Sequence, residues 1–438
     1  MSEAFLHNIK VAHFIGVGGI GVSALARMML LRGVSVTGSD RDRSLITESL
    51  EMAGATIFID HDRAHVPEAC DLVIYSPAVP EDNPELRVAR ERGVQTLSYP
   101  ESLGMISRGM RTIAVSGTHG KTTTTAMLAG VLVGAHLNPT VIVGSLLKSG
   151  SNFISGTSDI FVVEACEYKR SFLNLSPEIL VITNIDNDHL DYYGTIEGVQ
   201  KAFAELVEKV PVTGAIVCDP SDPLVAPVLV KAVARIADYS LGNPTSKLKL
   251  SVPGEHNIKN AKAALAVVRI LGVNEDEAIE LVAKFEGTWR RMEYKGKLLS
   301  GALVYDDYAH HPTEIKATLQ GFRAKYPAGR IRVVFQPHLY SRTKLLLNEF
   351  AESFSDADEV IVVPIYAARE KPDPEITAEK LTQAIKAHHK KVSAISEFSA
   401  VESYISTTTE KDDIIITMGA GDVFKIGGRL TESKKVLQ

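Results

Sequence analysis

Two glycine turns in this chain have the make-up of anion cradles. The first, Gly16-Val17-Gly18-Gly19-Ile20-Gly21, follows the apolar run "VAHFI" and leads into a helical pattern beginning "IGVSALA". Its G-x-G-x-x-G spacing lets the backbone approach an anion closely, and the helix start adds unpaired N–H groups and a positive dipole end. Asp40 ends the next strand, 19 residues after Gly21, where an acid can take ribose hydroxyls. Ser39 precedes it, and Ser76 ends the later run "DLVIYS". The motif leaves the nucleotide open. NAD and UDP both carry a ribose and a pyrophosphate.

The second turn, Gly117-Thr118-His119-Gly120-Lys121-Thr122-Thr123, follows "RTIAVS" and ends in the G-K-T of a phosphate loop. Lys121 is placed to reach β- and γ-phosphates, and the Thr122 hydroxyl to ligate Mg²⁺. Val115 occupies the first glycine position of the general G-x-x-x-x-G-K-[ST] pattern, so the match is incomplete. Magnesium needs hard oxygen ligands. Glu164 ends "DIFVVE", like the acid of a Walker-B strand, and "TNIDNDHLDYYG" sets Asn184, Asp188, His189 and Asp191 behind another strand. His189 is either a metal ligand or an ordinary loop histidine; residue type alone leaves both open.

The elements that must position these groups alternate. Short β-branched runs followed by helical patterns predict βα units and mainly parallel sheets. The first region offers "VAHFIGV", "SVTGSD", "TIFID", "DLVIYS" and "QTLSY"; the second, "RTIAVSG", "DIFVVEA" and "EILVITNI"; the third, "ALVYDD", "IRVVFQP", "EVIVVPI" and "DIIITMG". Breaks near residues 108 and 294 give domains at 1–108, 109–294 and 295–438. The polar segment "FEGTWRRMEYKG" is expected to close the middle region, with Trp289 in packing rather than ligand stacking. In every region the unusual polar residues follow strands, and open parallel sheets bind ligands outside their carboxyl ends.

Composition excludes other classes. The 438 residues are 45% hydrophobic and 23% charged, as in globular proteins, and too long for one ordinary core. A net charge of −6 gives no support to nucleic-acid or anionic-membrane binding. Three scattered cysteines suit a reducing cytoplasm, and no apolar run spans a bilayer. A monomer or weak homodimer is expected.

The ordered motifs "GTHGKTTT", "VEACE", "TNIDNDHLDYYG", "PGEHNIKNAKAAL", "FEGTWRR" and "DDYAHHPTE" resemble those of the Mur ligase family across essentially the whole chain. These ATP-dependent enzymes form amides in bacterial cell-wall precursors. "HFIGVGGIGVSALA", "GSD" and "FQPHLYSRT" resemble most the branch that adds L-alanine to UDP-N-acetylmuramate. The resemblance implies three α/β domains with mainly parallel sheets: Rossmann-like, then P-loop ATPase-like, then Rossmann-like. The first would hold the UDP substrate through Gly16, Gly18, Gly19, Ile20, Gly21, Ser39, Asp40 and Ser76. The second would hold ATP and one or two Mg²⁺, with Mn²⁺ an acceptable substitute, through Gly117 to Thr123, Glu164 and His189.

The resemblance also assigns Asn257, Asn260 and Arg291 to the nucleotide, with Asp307 and His311 reaching it as the third domain closes. Tyr308, His310, His338 and Arg342 fall near the muramoyl carboxylate or the incoming amino acid. Lys121, Glu164, His189, Asp307, His310 and Arg342 would carry catalysis, with His310 or His338 the base. Three departures stand out. Close relatives often read "EADESD" where this chain has Glu164-Ala165-Cys166-Glu167-Tyr168-Lys169. Many have arginine at Leu339, leaving more to Arg342. Phe203 stands where later-acting branches carry a carbamylated lysine, which argues against a carbamate ligand.

Overall fold

The computed structural model describes residues 8–241, 248–368 and 370–432, all but the Asp191 side chain. The first sheet comprises β1 (Val11–Ile15), β2 (Ser35–Ser39), β3 (Thr56–Phe58), β4 (Leu72–Tyr75) and β5 (Gln95–Ser98). Its order is β3-β2-β1-β4-β5, and all pairs are parallel. The chain reverses its direction of winding between β1 and β4. A crevice opens at such a switch point, and the first glycine turn leaves β1 there.

The second sheet comprises β6 (Arg111–Ser116), β7 (Thr140–Ile142), β8 (Phe153–Ile154), β9 (Ile160–Glu164), β10 (Ile179–Ile182), β11 (Ala215–Cys218) and β12 (Arg235–Asp238), in the order β12-β11-β10-β6-β9-β7-β8. Among the described residues of this sheet, only the β7–β8 pair is antiparallel. β6 lies between β10 and β9, with Val115 opposite Glu164 and Ser116 opposite Ile182. The phosphate-loop turn therefore emerges beside the strands that carry the acids. Ile179, Leu180, Val181 and Ile182 are all buried, because helices cover both faces of a parallel sheet.

The third sheet comprises β13 (Glu293–Lys297), β14 (Leu303–Asp307), β15 (Ile331–Phe335), β16 (Glu359–Val362), β17 (Val392–Ala394) and β18 (Ile414–Met418), in the order β13-β14-β18-β15-β16-β17. β13 is antiparallel to β14 and straddles the expected break at 294. Its sequence, EYKGK, reads as a polar connection, yet charged residues suit an edge strand because they discourage further pairing. The contacts form two compact units. One contains the first two sheets, residues 1–249 and 259–285; the other contains residues 250–258 and 286–438.

Candidate active site

In the first unit, the helix Lys121–Gly134 begins at Gly120 with no side-chain cap, which leaves its first N–H groups for a ligand. Gly120 has φ +82°, and a Cβ there would lie 2.3 Å from Asn260 Oδ1. The glycine is thus required twice, by conformation and by space. Thr183 and Asn184, just beyond β10, brace the loop. The Thr183 hydroxyl and the Asn184 amide donate to the His119 carbonyl at 2.6 and 2.9 Å, and the His119 N–H donates to Asn184 Oδ1 at 3.0 Å. The His119 ring sits 3.0 Å from Asp186 Oδ2.

Lys121 Nζ donates to the carbonyls of Gly117 (2.7 Å) and Thr118 (2.9 Å) and pairs with Glu167 at 2.9 Å. Burial disfavours the ammonium, but Glu167 and Glu164 outweigh it and hold the lysine pKa above its ordinary range. The cation is fixed before any phosphate arrives. The Thr122 hydroxyl donates to Glu164 Oε2 at 2.9 Å, as does the Gly144 N–H. His189 Nε2 lies 3.9 Å from Glu167 Oε1 and 3.8 Å from Asp188 Oδ2. His189 has φ +54°, a strained conformation of the kind that clusters at functional sites. Hydroxyl and carboxylate oxygens around Thr122 and Glu164 suit a hard divalent cation, and Glu167 with His189 makes an adjoining donor pair. The sequence motif keeps Glu167 with Glu164 as a metal-site acid; its place between Lys121 and His189 depends on the Glu167–Asn174 backbone path.

The first cradle is built differently. Gly16 and Val17 donate to the Ser39 carbonyl at 2.8 and 3.0 Å, and Gly18 donates to Asp40 Oδ2 at 2.8 Å. Asp40 therefore braces the loop. The helix Ile20–Leu31 also begins without a side-chain cap, at Gly19. Ser76 accepts the Ala78 N–H at 3.3 Å. Ser39, expected among substrate contacts, turns its hydroxyl inward to Glu85 at 2.6 Å. Glu85 is fully buried and also meets His61 and His65, each at 3.1 Å. Burial opposes its ionisation, but hydrogen bonds from His13, Ser39 and His61 keep its pKa below the usual carboxylate range. No motif announces this cluster, because its members are scattered from His13 to Glu85.

In the second unit, Asp307 ends β14 and is buried. It accepts from Met292 N (2.7 Å), Ala309 N (2.9 Å) and the Thr318 hydroxyl (3.2 Å). Burial raises its pKa to about 6, although Arg291 and the backbone donors pull the other way. The adjacent arginines divide. Arg290 is buried, donates to Asp306 at 2.8 Å and to the Gly421 carbonyl at 3.0 Å, and serves the fold. Arg291 lies over the Tyr308 ring at 5.2 Å and 3.7 Å from Glu314. Burial and Arg291 lower the pKa of His256, one residue before Asn257, to about 4, so its ring is neutral. The Asn257 amide donates to the Pro253 carbonyl at 2.7 Å. Trp289 packs on Phe424 at 5.8 Å.

His310 and His338 lie 5.7 Å apart, ring to ring, and their Nδ1 atoms face partners of opposite kind. His310 Nδ1 faces the Tyr308 carbonyl at 3.0 Å and Glu314 at 3.2 Å. Both are acceptors, so Nδ1 carries a proton. His338 Nδ1 faces Arg342 Nη1 at 3.2 Å. A guanidinium only donates, so this Nδ1 is the acceptor and Nε2 carries the proton. His311 Nδ1 accepts the Thr313 N–H at 3.3 Å and caps the helix Pro312–Lys325. Tyr366, which no motif marks, stacks against His338 at 5.8 Å and 16°.

Comparison with known proteins gives matches to three family descriptions. They are "Mur ligase family, catalytic domain" over residues 11–111, "Mur ligase middle domain" over 115–247 and "Mur ligase, glutamate ligase domain" over 290–421. A UDP-N-acetylmuramate–L-alanine ligase from Clostridium acetobutylicum is 41% identical, with 95% of this chain and 96% of the relative covered. One from Caldanaerobacter subterraneus subsp. tengcongensis is 40% identical, with 99% and 100% covered. Among solved structures, UDP-N-acetylmuramate-alanine ligase MurC from Thermotoga maritima superposes with a TM-score of 0.82 at 28% identity, covering 98% of this chain and 99% of its own. A murein peptide ligase from Psychrobacter arcticus gives 0.70 at 27%, covering 96% and 98%.

Proposed function

This chain belongs to the Mur ligase family, and we propose that it joins L-alanine to the carboxylate of UDP-N-acetylmuramate with cleavage of ATP, in peptidoglycan precursor synthesis. The supporting observation is the pairing at the head of the helix Lys121–Gly134: Lys121 with Glu167, and Thr122 with Glu164, beside a braced glycine turn.

A carboxylate and an amine do not condense unaided, because oxide is a very poor leaving group. The muramoyl carboxylate oxygen attacks the γ-phosphorus; the bond to the β-phosphate oxygen breaks, and ADP leaves. The alanine amine then attacks the acyl carbon of the resulting acyl phosphate, and phosphate departs with the former carboxylate oxygen. Two anions must be brought together, so catalysis is mainly positioning and charge neutralisation. Lys121 and the N–H groups from Gly117 to Thr123 hold the triphosphate. Thr122, Glu164 and His189 would hold one or two Mg²⁺, which supply positive charge to the transferring phosphoryl group. Arg291, Asp307 and His311 serve the nucleotide, as do Asn257 and Asn260. Arg342, Tyr308 and His338 orient carboxylates. His310 takes the proton from the alanine ammonium, a choice supported by its Nδ1 facing acceptors whereas that of His338 faces the Arg342 guanidinium.

Domains at 1–108, 109–294 and 295–438 divide these tasks into UDP-substrate binding, ATP binding and closure with amino-acid binding. Free Cys70, Cys166 and Cys218 and the bacterial relatives support a bacterial cytoplasmic setting. The test is ADP release that requires UDP-N-acetylmuramate, L-alanine and Mg²⁺ together. Release with murein tripeptide instead of L-alanine would make the chain a recycling ligase, and release without any acceptor would remove the ligase reading.

A further inference from the structure

Tyr99 belongs to none of the motifs. It begins the helix Tyr99–Ser107 directly after β5, at the carboxyl edge of the first sheet. Its ring fills the space beside the last glycine of the first cradle: a Cβ at Gly21 would lie 2.5 Å from Tyr99 Cζ and 2.9 Å from its hydroxyl oxygen. Gly21 is therefore glycine because a phenol stands there. The helix that Tyr99 begins packs toward the other cradle: a Cβ at Gly104 would lie 2.6 Å from the Asn174 carbonyl oxygen, in the segment that follows Glu164 and Glu167, and the Ser176 N–H donates to the Ser107 hydroxyl at 3.1 Å. Burial, and then the carboxylate of Glu164 and the thiol of Cys166, push the Tyr99 pKa above the ordinary tyrosine range. It stays a neutral O–H donor at any working pH. Among the described residues that hydroxyl makes no hydrogen bond.

One ligand must run between these two places. The pyrophosphate of a UDP-linked substrate is held at Gly16 to Gly21, and its carboxylate must reach the γ-phosphate near Lys121 and Thr122. The segment between is the muramoyl sugar with its lactyl ether, rich in oxygen acceptors and poor in charge. We propose that the Tyr99 hydroxyl donates a hydrogen bond to this muramoyl segment, making Tyr99 a substrate-contact residue that sets the reach from the first cradle to the second. The proposal rests on the ligase reading above. It differs from a glycine-loop contact because it recognises the sugar rather than the diphosphate.

Tyr99→Phe keeps the ring against Gly21 and deletes only the donor. Calorimetric titration with UDP-N-acetylmuramate and with UDP alone separates the possibilities. The expected result is about tenfold weaker binding of UDP-N-acetylmuramate, the value of one hydrogen bond of ordinary strength. UDP affinity, the KM for ATP and the melting temperature should stay unchanged. Equal affinity of variant and wild type for UDP-N-acetylmuramate would overturn the proposal. So would an equal loss for UDP, which would move the contact to the diphosphate. Wild-type protein that binds no UDP-N-acetylmuramate would overturn both this proposal and the ligase reading.

Discussion

His310 and His338 are the same residue type in the same cluster, yet one hydrogen-bond partner each gives them different chemistry. With Nδ1–H held by Tyr308 and Glu314, His310 can accept a proton at Nε2 and pass charge toward a carboxylate. His310→Gln should lower amide formation about 10²–10⁴-fold, the usual worth of a general base. Hydroxylamine, a nucleophile that is already neutral, should still trap the acyl phosphate as hydroxamate at close to the wild-type rate. A parallel loss of hydroxamate would assign His310 to positioning instead. Asp307 offers a pH test. Its folded pKa of about 6 lies above the ordinary aspartate range, so the folded protein binds this proton more tightly than the unfolded chain. The group favours folding most at low pH, and that contribution is lost as pH rises through about 6. If ATP requires the carboxylate, kcat/KM for ATP should fall below about pH 6; a profile flat to pH 5 would remove Asp307 from the nucleotide site. Lys121 and Glu164 were legible in the sequence because contiguous motifs fix their surroundings. The division between Arg290 and Arg291, and the inward turn of Ser39, were not, because side-chain direction depends on groups far away in the chain, Asp306 and Glu85 among them.

At the scale of elements, strand-then-helix rhythm carried most of the architecture. The long apolar strands β6, β9, β10, β14, β15 and β18 announce themselves because both faces of each are buried. β7 and β8 have three and two residues, too few to show a period, and β12 and β13 are polar edge strands. The turns between elements matter as much. Gly120→Ala must adopt a left-handed conformation, at roughly 1–2 kcal/mol, and also displace Asn260. ATP affinity should fall at least about tenfold, whereas UDP-substrate affinity should hold, since the first cradle has its own bracing through Asp40. Calorimetry with each ligand checks this; loss of both would indicate general misfolding.

Across the molecule each sheet has a chemical end and a bracing end. Site residues follow the carboxyl ends of strands. At the amino ends, Asp71 accepts the N–H groups of Lys10 and Val11, Arg111 pairs with Glu178, and Arg332 pairs with Glu359. The last pair is the most buried. Arg332 is fully enclosed, 2.6 Å from Glu359 and 3.5 Å from Asp413. Arg332→Ala takes the enclosed guanidinium from Glu359, which keeps Lys391 at 3.2 Å and the Tyr404 hydroxyl at 2.6 Å, and should cost about 3 kcal/mol of stability, the low end for breaking a buried pair. Urea unfolding measures that loss. Activity per folded molecule, assayed well below the melting point, should stay within about twofold, because mutations remote from a site add independently.

The first two sheets, and with them both glycine turns, belong to one compact unit. A single designed molecule is therefore a rational inhibitor: a uridine diphosphate at one end, a non-hydrolysable triphosphate at the other, and a linker passing Tyr99. Once the first end is seated, the second binds from an effective concentration set by the linker rather than by dose. Resistance would then require changes at two cradles that ordinary substrates still need.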